Sequence, residues 1–480
     1  MNAFLTASAL AVVLVVLALS PGFGPAAVAL CAACALVAGL VISRLGTDKE
    51  FLLRLFVAGL IARMLVGTII FNFHLQEFFG GDAFTYDYFG TMVMKMWRGE
   101  IPHHIFLSIM GPFLARNYGM IYVTGAIYWV TGQNMLAAQF FNAVIGAATA
   151  PVIYLCARHL FRNVRVARVS AQLVAFFPSL VLWSSQGLKD GPMIFLLALA
   201  MLATLKLDER FSLKHLAVLV AALGGILSLR FYVFYMMAAA VVGAFAVGFR
   251  TPSVAGYVRR LGILFASTLL LLQLGVLNSA TEQFELYGNL KAVQRSRADQ
   301  AESASGFKED TDVSTTEGAL TVIPLGFLYL LFAPFPWQLA SLRQSITLPE
   351  MVVWWASFPL LCAGLWFTLK HRMRQALPVL IFTMMLTLAY SVFQGNVGTA
   401  YRQRSQLLVF YFIFVSVGYE LLRERQEDKV RERAAAKAEL VARLRGNAAH
   451  VGTAAVERDT ILQPASAIDA GTGEARPQLL

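Results

Sequence analysis

Residues 51–72 have the sequence FLLRLFVAGLIARMLVGTIIFN, an apolar run with two arginines and no acidic side chain. A helix of about 20 apolar residues spans the hydrocarbon core of a bilayer, so this run predicts one membrane-spanning helix. Comparable apolar runs occupy residues 3–20, 26–43, 137–157, 166–184, 191–206, 214–229, 231–249, 261–278, 351–369, 375–393 and 403–421. The first of these lacks a basic leading region, which favours an uncleaved span over a signal peptide.

The composition of the 480-residue chain points to the same class of protein. Hydrophobic residues make up 58% and charged residues 14% of the sequence, and the mean hydropathy is +0.65. Soluble chains carry roughly 25% charged residues, and a water-soluble globule cannot bury so many apolar side chains. We therefore expect an all-α polytopic membrane protein of about 12–14 transmembrane helices. Soluble enzymes, disulfide-linked secreted scaffolds, disordered proteins and nucleic-acid-binding modules are excluded.

Basic residues set the expected orientation. The net charge is +11, and the lysines and arginines concentrate in short connections and in the C-terminal tail. Such clusters favour the cytoplasmic side, where they also meet anionic headgroups. The cytoplasmic segments predicted in this way are 158–168, 206–214, 250–260, 370–374 and the tail from Arg423. We expect a multi-pass protein of a bacterial inner membrane.

Two apolar stretches do not fit a simple count of spans. Residues 117–132 are short and aromatic, and we expect them to lie at the membrane interface. Residues 319–337 contain Pro324, Pro334 and Pro336, and proline removes a backbone donor. We expect these prolines to break the stretch near both ends and to make it a re-entrant segment.

Three regions follow from this pattern. Residues 1–50 hold two additional N-terminal spans. Residues 51–421 form the main transmembrane module, with outer loops at 73–115 and 279–350. Residues 422–480 begin as a charged, alanine-rich helix with opposite charges four residues apart. From Gly446 onward the tail turns small and polar, and we expect disorder on the cytoplasmic side.

The four cysteines predict no metal or redox site. Cys31, Cys34, Cys156 and Cys362 all lie inside apolar runs, and the CxxC formed by the first two encloses only alanines. A CxxC in that setting is typical of a membrane-spanning helix rather than of zinc or thiol chemistry.

The stretch FFGGDAFTYDYFG, residues 78–90, is the first candidate for chemistry. Asp82 and Asp87 lie at a predicted membrane boundary, with Tyr86 beside them, and Gly80 allows a sharp backbone turn. A carboxylate in such a place suits a general base that accepts a proton from a hydroxyl group. An ordinary polar loop with interfacial tyrosines is the alternative. The two aspartates could also share a magnesium ion, although the chemistry proposed below does not require one.

Four basic residues and a third carboxylate lie at other predicted outer turns. Lys189 and Asp190 are adjacent in WSSQGLKDGP, residues 183–192, and ionisable groups at such depth are functional candidates. Arg230 joins two apolar runs with almost no loop. Arg402 and Arg404 lie in QGNVGTAYRQRSQ, residues 394–406, against the positive-inside trend. Capping of a helix by Asp190 and snorkelling of the arginines are the structural alternatives.

Carboxylates and guanidinium groups on one side of a membrane protein fit a specific reaction. Arginine and lysine side chains bind phosphate and stabilise negative charge on a departing lipid phosphate. An aspartate then accepts the proton of the attacking hydroxyl. These features predict transfer of a sugar from a polyprenyl-phosphate donor at the extracytoplasmic face, with Asp82 and Asp190 as catalytic candidates. Tyr86, Asp87, Lys189, Arg230, Arg402 and Arg404 are the substrate-binding candidates.

The order of these motifs resembles the GT-C superfamily of membrane glycosyltransferases, especially the branch that includes protein mannosyltransferases and the lipid A aminoarabinose transferase. The likeness rests on D-x-x-x-Y at Asp82–Tyr86, on residues 118–132 followed by RHLF at 158–161, and on an aspartate after Pro178, here Asp190. The resemblance implies that Asp82 is the catalytic base and that basic residues of outer loops contact the lipid phosphate. Arg116, His103 and His104 are weaker candidates of the same kind.

This chain departs from the family pattern in three ways. Two spans precede residue 51, the first loop has Asp-Ala instead of the frequent Asp-Glu pair, and no large soluble domain follows the last span. The sugar and the acceptor, whether glycan, lipid or protein, therefore stay open. The rival predictions are an O-antigen-type polymerase or ligase and a lipid or sugar flippase. Transporters often show internal repeats and polar residues near the midplane, and neither pattern is evident here.

Overall fold

The computed structural model describes residues 3–461 except 47, 115–118, 248–253, 303–305, 307–311 and 340. Within these ranges the chain folds into helices, and its β pairing is limited to a single bridge between Gly306 and Asn396. The all-α prediction is confirmed.

Twenty helices follow one another in the described part of the chain. The first ten are α1 Ala3–Leu19, α2 Gly24–Ser43, α3 Lys49–Asn72, α4 Gln76–Phe79, α5 Asp82–Trp97, α6 His103–Leu114, α7 Gly119–Thr131, α8 Met135–Phe161, α9 Val164–Phe176 and α10 Pro178–Ser184. The second ten are α11 Asp190–Glu209, α12 Leu213–Leu229, α13 Phe231–Val247, α14 Val254–Gln273, α15 Val276–Tyr287, α16 Leu290–Ala301, α17 Thr316–Phe332, α18 Leu342–His371, α19 Met373–Phe393 and α20 Val397–Ile461.

The described helices confirm a polytopic membrane protein. Seven of them are long and apolar enough to cross a bilayer: α2, α3, α8, α11, α18, α19 and the first part of α20. Four shorter apolar helices, α1, α12, α13 and α17, have 17 residues each.

Two predicted spans are bent instead of straight. Helices α9 and α10 meet at 54°, and α14 and α15 meet at 78°. The first bend lies at Phe177, because the residue before a proline is pushed out of the helical region and Pro178 follows it. The second lies at Gly275, which adopts a positive φ of 70°. Counting each bent pair as one span gives up to nine crossings in the described residues.

Helix α8 is the centre of the packing. It contacts α2, α3, α9 and α11, and α11 in turn packs against α12. Farther along the chain, α19 packs against α13 and α17. Helices α18 and α20 approach each other closely at Gly364 and Gly418, where a side chain would collide with the backbone of the facing helix. Small residues at such crossings are typical of membrane helices.

Several helices begin at a side-chain cap. Asn134, Asn163 and Asn289 each accept a hydrogen bond from a backbone N–H in the first turn, at the starts of α8, α9 and α16. Thr315 and Ser341 do the same for α17 and α18. These side chains satisfy donors that the first turn of a helix leaves without an intrahelical partner.

The predicted outer loop 73–115 contains three helices, α4 to α6. Within α5, Tyr86, Phe89 and Val93 are buried at helical spacing, which explains why this polar stretch is not an irregular loop. Helix α5 packs against α7. Asp87 lies opposite Tyr128 and Gly90 lies opposite Thr124, which shows that the two helices run antiparallel. Helix α7 has 13 residues, fewer than the roughly 20 that span a bilayer, and the interfacial position expected for residues 117–132 stays a prediction.

The proline-rich segment 319–337 breaks at one end only. Helix α17 continues through Pro324 and ends at Phe332, just before Pro334 and Pro336. The expected break near Pro324 is therefore wrong. A single proline inside a helix removes one backbone hydrogen bond. Two prolines in close succession prevent the helix from continuing.

The tail from Leu421 forms a unit of its own. Its part of α20 carries the predicted ion pairs four residues apart, among them Arg423–Glu427 at 2.9 Å and Arg443–Glu439 at 2.7 Å. The described part of the helix extends to Ile461, beyond Gly446. Alanines after Gly446 favour the helix. The remainder of the predicted disordered tail lies outside the described residues.

Candidate functional site

Four charged side chains from distant parts of the chain form one hydrogen-bonded cluster. Arg402 donates through Nη1 to Asp82 at 2.7 Å and through Nε to Asp190 at 2.7 Å. Arg230 donates through Nη2 to the other oxygen of Asp190 at 2.9 Å. We call Asp82, Asp190, Arg230 and Arg402 the charge cluster.

The members of the charge cluster differ in exposure. The side chain of Asp190 is 0% exposed, that of Arg230 6% and that of Arg402 14%, whereas Asp82 is 53% exposed. The cluster therefore has a buried inner part, in which Asp190 joins two arginines, and an outer carboxylate that solvent and ligands can reach. A carboxylate is stable in such a buried position only when it is paired and hydrogen-bonded.

Breaks between helices bring the charge cluster together. Asp82 and Asp190 are the first residues of α5 and α11, and Arg230 is the single extended residue between α12 and α13. Arg402 lies in the second turn of α20. Before α5, Gly80 adopts a φ of 135°, which residues with a side chain rarely adopt. This turn allows Asp82 to start a new helix facing Arg402.

A side chain of α8 holds the turn that precedes Asp190. The side-chain amide of Asn142 donates to the carbonyls of Gln186 and Leu188, both at 2.7 Å. Ser185 donates to the carbonyl of Val181 at 2.7 Å. These contacts hold the backbone that leads into α11, so the position of the Asp190 carboxylate depends on a buried amide in a different helix.

Aromatic side chains surround the arginines. The guanidinium of Arg402 lies 5.7 Å from the ring centroid of Trp183, and Arg230 donates to the hydroxyl of Tyr232 at 3.0 Å. Tyr86 is buried one turn after Asp82, close enough to Arg402 to interact with it electrostatically. The Nε of Arg230 has no hydrogen-bond partner among the described residues, so the cluster keeps a donor for a further acceptor.

Lys189 adds a third positive charge beside the cluster. It lies in the turn between α10 and α11 and forms no ion pair with any residue the structure describes. Burial, and then repulsion from Arg230 and Arg402, lowers the pKa of its ammonium group to about 7. An anion placed next to the arginines would also meet this lysine.

Two predicted substrate-binding residues lie elsewhere. Asp87 accepts hydrogen bonds from Tyr128 at 2.5 Å and from Gln133 at 2.9 Å, so it connects α5 to α7 and the start of α8. Arg404 is 2% exposed and donates to the carbonyls of Leu330 and Ala333 at the end of α17. Neither belongs to the charge cluster. Arg116 lies outside the described residues.

The residues that hold the charge cluster in place are not among the candidates predicted from the sequence. Asn142 lies in an apolar, alanine-rich span, and because a buried amide costs free energy unless it is hydrogen-bonded, an amide in such a span is a candidate for a structural contact. Arg63, inside the span 51–72, donates to Ser184 at 2.8 Å and to the carbonyl of Ala175 at 2.8 Å. It thereby connects the helices on both sides of the bend at Phe177. A charged residue within a membrane span is itself a signal for such a contact.

No group of three or more histidine, cysteine, aspartate or glutamate side chains that could hold a metal ion occurs in the part of the chain that the structure describes. The charge cluster contains two carboxylates, and both are bonded to arginine.

Residues 118–274 match the family model of the dolichyl-phosphate-mannose-protein mannosyltransferases. This match covers 157 of the 480 residues, and for that part of the chain it agrees with the predicted resemblance to GT-C glycosyltransferases. The GT-C-like match includes Lys189, Asp190 and Arg230 but neither Asp82 nor Arg402. No curated protein matches the sequence significantly.

Two solved structures are similar to the chain in fold. One is the archaeal oligosaccharyltransferase AglB from Archaeoglobus fulgidus in complex with an inhibitory peptide and a dolichol-phosphate, with 15% identity and a TM-score of 0.41 over 73% of this chain and 47% of that one. The other is the apo form of an oligosaccharyltransferase of the same organism, with 15% identity and a TM-score of 0.43 over 78% and 52%. The chain spans about half the length of these proteins.

Proposed function

We propose that the protein is a membrane glycosyltransferase that transfers a sugar from a polyprenyl-phosphate donor to an acceptor hydroxyl. The observation that carries the proposal is the charge cluster, in which Arg402 contacts both Asp82 and Asp190. The family match of residues 118–274, which contain Asp190 and Arg230, supports the same class of reaction. The partners are the lipid donor, membrane lipids and a glycan, lipid or protein acceptor.

Asp82 is the proposed general base. Its carboxylate is the accessible one of the two, at 53% side-chain exposure, so an acceptor hydroxyl can reach it. The carboxylate takes the hydroxyl proton while the acceptor oxygen attacks the anomeric carbon of the sugar. The bond from that carbon to the phosphate oxygen breaks, and its electron pair leaves with the lipid phosphate.

Arg402 is the proposed site of the leaving phosphate. A guanidinium offers paired donors that match phosphate oxygens, and negative charge grows on those oxygens as the bond breaks. Arg230, whose Nε has no hydrogen-bond partner among the described residues, and Lys189, beside the charge cluster, supply further positive charge. With Lys189 protonated, these three cations outnumber the two aspartates, which favours an anionic ligand.

Asp190 has a positioning role in this mechanism. The predicted catalytic role does not suit it, because its carboxylate is fully buried and both oxygens are bonded to arginines. It holds Arg230 and Arg402 side by side and compensates their charge while no substrate is bound. The donor then exchanges with the outer carboxylate, Asp82, and not with the inner one.

The direct test is transfer by purified protein in liposomes that contain a polyprenyl-phosphate sugar and an acceptor. We expect Asp82→Asn to lower the transfer rate by a factor of about 10² to 10⁴, the usual contribution of a general base. Asp87→Asn is the matched control, because it lies on the same helix but contacts α7, and it should retain most of the activity.

A flippase would give a different result. It would move the lipid-linked sugar across the vesicle membrane without forming a glycosidic bond. Sugar transfer would then be absent from the wild type and from Asp82→Asn alike. Transfer that persists at the normal rate in Asp82→Asn would show that this carboxylate is not the base. The proposed setting is the extracytoplasmic face of a bacterial inner membrane.

A further inference from the structure

A second group of charged residues lies at the other end of α11, away from the charge cluster. It surrounds a cavity of about 380 Å³ between the ends of α8, α11 and α18. Four cationic side chains line this cavity, namely Arg158, Arg162, Lys206 and Arg372. We call it the basic cavity.

The basic cavity is separate from the proposed active site. Lys206 lies sixteen residues after Asp190 on the same helix, and at 1.5 Å per residue the two are roughly 24 Å apart. Helix α11 is one of the helices long enough to cross a membrane. Its two ends therefore lie near opposite interfaces, and the basic cavity belongs to the leaflet opposite the charge cluster.

Positive charge in the basic cavity is only partly compensated. Asp208 accepts a hydrogen bond from Arg260 at 2.9 Å, so its carboxylate is already paired. Glu209 lies 3.7 Å from Lys206 and 3.8 Å from His159. Arg162 and Arg372 form no ion pair with any residue in the described ranges.

The walls of the basic cavity are partly apolar. Leu155, Leu160 and Leu205 line it together with the cations. A volume of 380 Å³ lies within the range of small-ligand sites. A cavity lined by both cations and leucines suits a ligand that combines a phosphate group with hydrocarbon. A free phosphate would contact only the cations.

We propose that the basic cavity binds a phosphate-bearing anion, with its phosphate group between Arg162 and Arg372. The leucine walls and the position at the end of a membrane-spanning helix favour the headgroup of an anionic lipid as the source. Basic pockets between membrane helices are suited to such headgroups.

Thermal unfolding of the full-length protein in detergent tests this proposal. A ligand that binds only the folded state stabilises it by an amount that grows with the logarithm of 1 + L/Kd, where L is the free ligand concentration, so the rise of the unfolding temperature in a titration gives an apparent affinity. The probes are short-chain phosphatidylglycerol, short-chain phosphatidylcholine and inorganic phosphate. Arg372→Gln is compared with Arg374→Gln, which removes the same charge two residues away from an exposed position outside the cavity lining.

We expect phosphatidylglycerol to stabilise the wild type and Arg374→Gln equally and phosphatidylcholine to have a much smaller effect. Arg372→Gln should bind phosphatidylglycerol about fivefold more weakly, the usual effect of one basic contact to an anionic headgroup. Arg162→Gln should behave in the same way, which protects the test if Arg372→Gln folds poorly.

Inorganic phosphate distinguishes the two sources of the anion. If it stabilises the protein as well as the lipid does, and Arg372→Gln weakens that effect, the ligand is a free phosphate compound. If it has little effect, the lipid headgroup is the ligand. Equal responses of Arg372→Gln, Arg162→Gln and Arg374→Gln to phosphatidylglycerol would overturn the proposal.

Discussion

Arg402 and Asp82 lie 320 residues apart in the sequence, yet Nη1 of the arginine donates to Oδ2 of the aspartate at 2.7 Å. The same guanidinium also donates to Asp190, which is fully buried and accepts a second hydrogen bond from Arg230. Of the two carboxylates, the half-exposed Asp82 is therefore the one that an incoming phosphate displaces more easily. In the proposed mechanism, binding of the donor releases the base.

This competition predicts opposite effects of one substitution on binding and on catalysis. Asp82→Asn should bind a short-chain polyprenyl phosphate several-fold more tightly than the wild type, because the amide competes less well for Arg402. The same variant should transfer sugar about 10² to 10⁴ times more slowly than the wild type. Titration of both proteins with the lipid, beside Asp87→Asn as the control, measures the effect. Unchanged or weaker binding by Asp82→Asn would argue against the competition.

Arg402→Lys should impair use of the donor selectively. Lysine keeps the charge but lacks the planar fork that pairs with phosphate oxygens. Loss of one charge-assisted hydrogen bond, worth about 1.5–3 kcal/mol, corresponds to roughly a 10- to 100-fold rise in the donor KM. The acceptor KM should change much less, and steady-state kinetics with each substrate varied in turn gives both values.

Arg404 provides the contrast to Arg402. Its guanidinium is buried and bonds backbone carbonyls at the end of α17, so Arg404→Gln should lower the unfolding temperature. The folded fraction of that variant should keep the donor KM of the wild type. A selective rise in donor KM in Arg404→Gln, equal to that in Arg402→Lys, would mean that the two arginines share one site after all.

The pKa of Lys189 predicts a pH dependence of donor binding. Burial lowers that pKa to about 7, so the side chain is charged below pH 7 and loses its charge as the pH rises through 7. The donor KM should therefore rise between pH 6 and pH 8. A sugar-linked polyprenyl phosphate is a phosphodiester whose charge stays constant over this range. Lys189→Arg stays charged and should give a flat profile; a wild-type profile that is equally flat would contradict the assignment.

Asn142 should prove to be a positioning residue. Asn142→Leu leaves the carbonyls of Gln186 and Leu188 without their donor, and we expect a loss of about 2 kcal/mol in the free energy of unfolding. Because Asp190 follows this turn, the donor KM should also rise. Gln139→Leu is the control on the same helix, since its buried amide has no hydrogen-bond partner among the described residues. It should leave both quantities unchanged or increase the stability.

The spans could be predicted from the sequence because length and apolarity decide them. Residues 51–72, for example, become α3, Lys49–Asn72. The bends could be predicted less well. Pro178 pushes Phe177 out of the helical region, but the angle between α9 and α10 also depends on tertiary contacts such as those of Arg63. Polar segments such as 82–97 proved helical because one face packs against α7.

The site could be predicted as a set of charged residues at helix boundaries, but not as a geometry. In a turn, as the sequence predicts for residues 394–406, Arg402 and Arg404 are equivalent. Once α20 begins at Val397, two residues correspond to about 200° around the helix, so the two arginines point to opposite sides. Asp82 and Asp87 are separated on α5 for the same reason. The contacts of Asn142 depend on tertiary structure, and no local pattern reveals them.

The central claim is that the charge cluster receives the phosphate of the lipid donor. A structure of the protein with a bound short-chain polyprenyl phosphate tests it most directly. We predict the phosphate within hydrogen-bond distance of Arg402, close to Lys189, with the carboxylate of Asp82 no longer bonded to Arg402. A phosphate bound elsewhere, with the bond between Asp82 and Arg402 intact, would contradict the account.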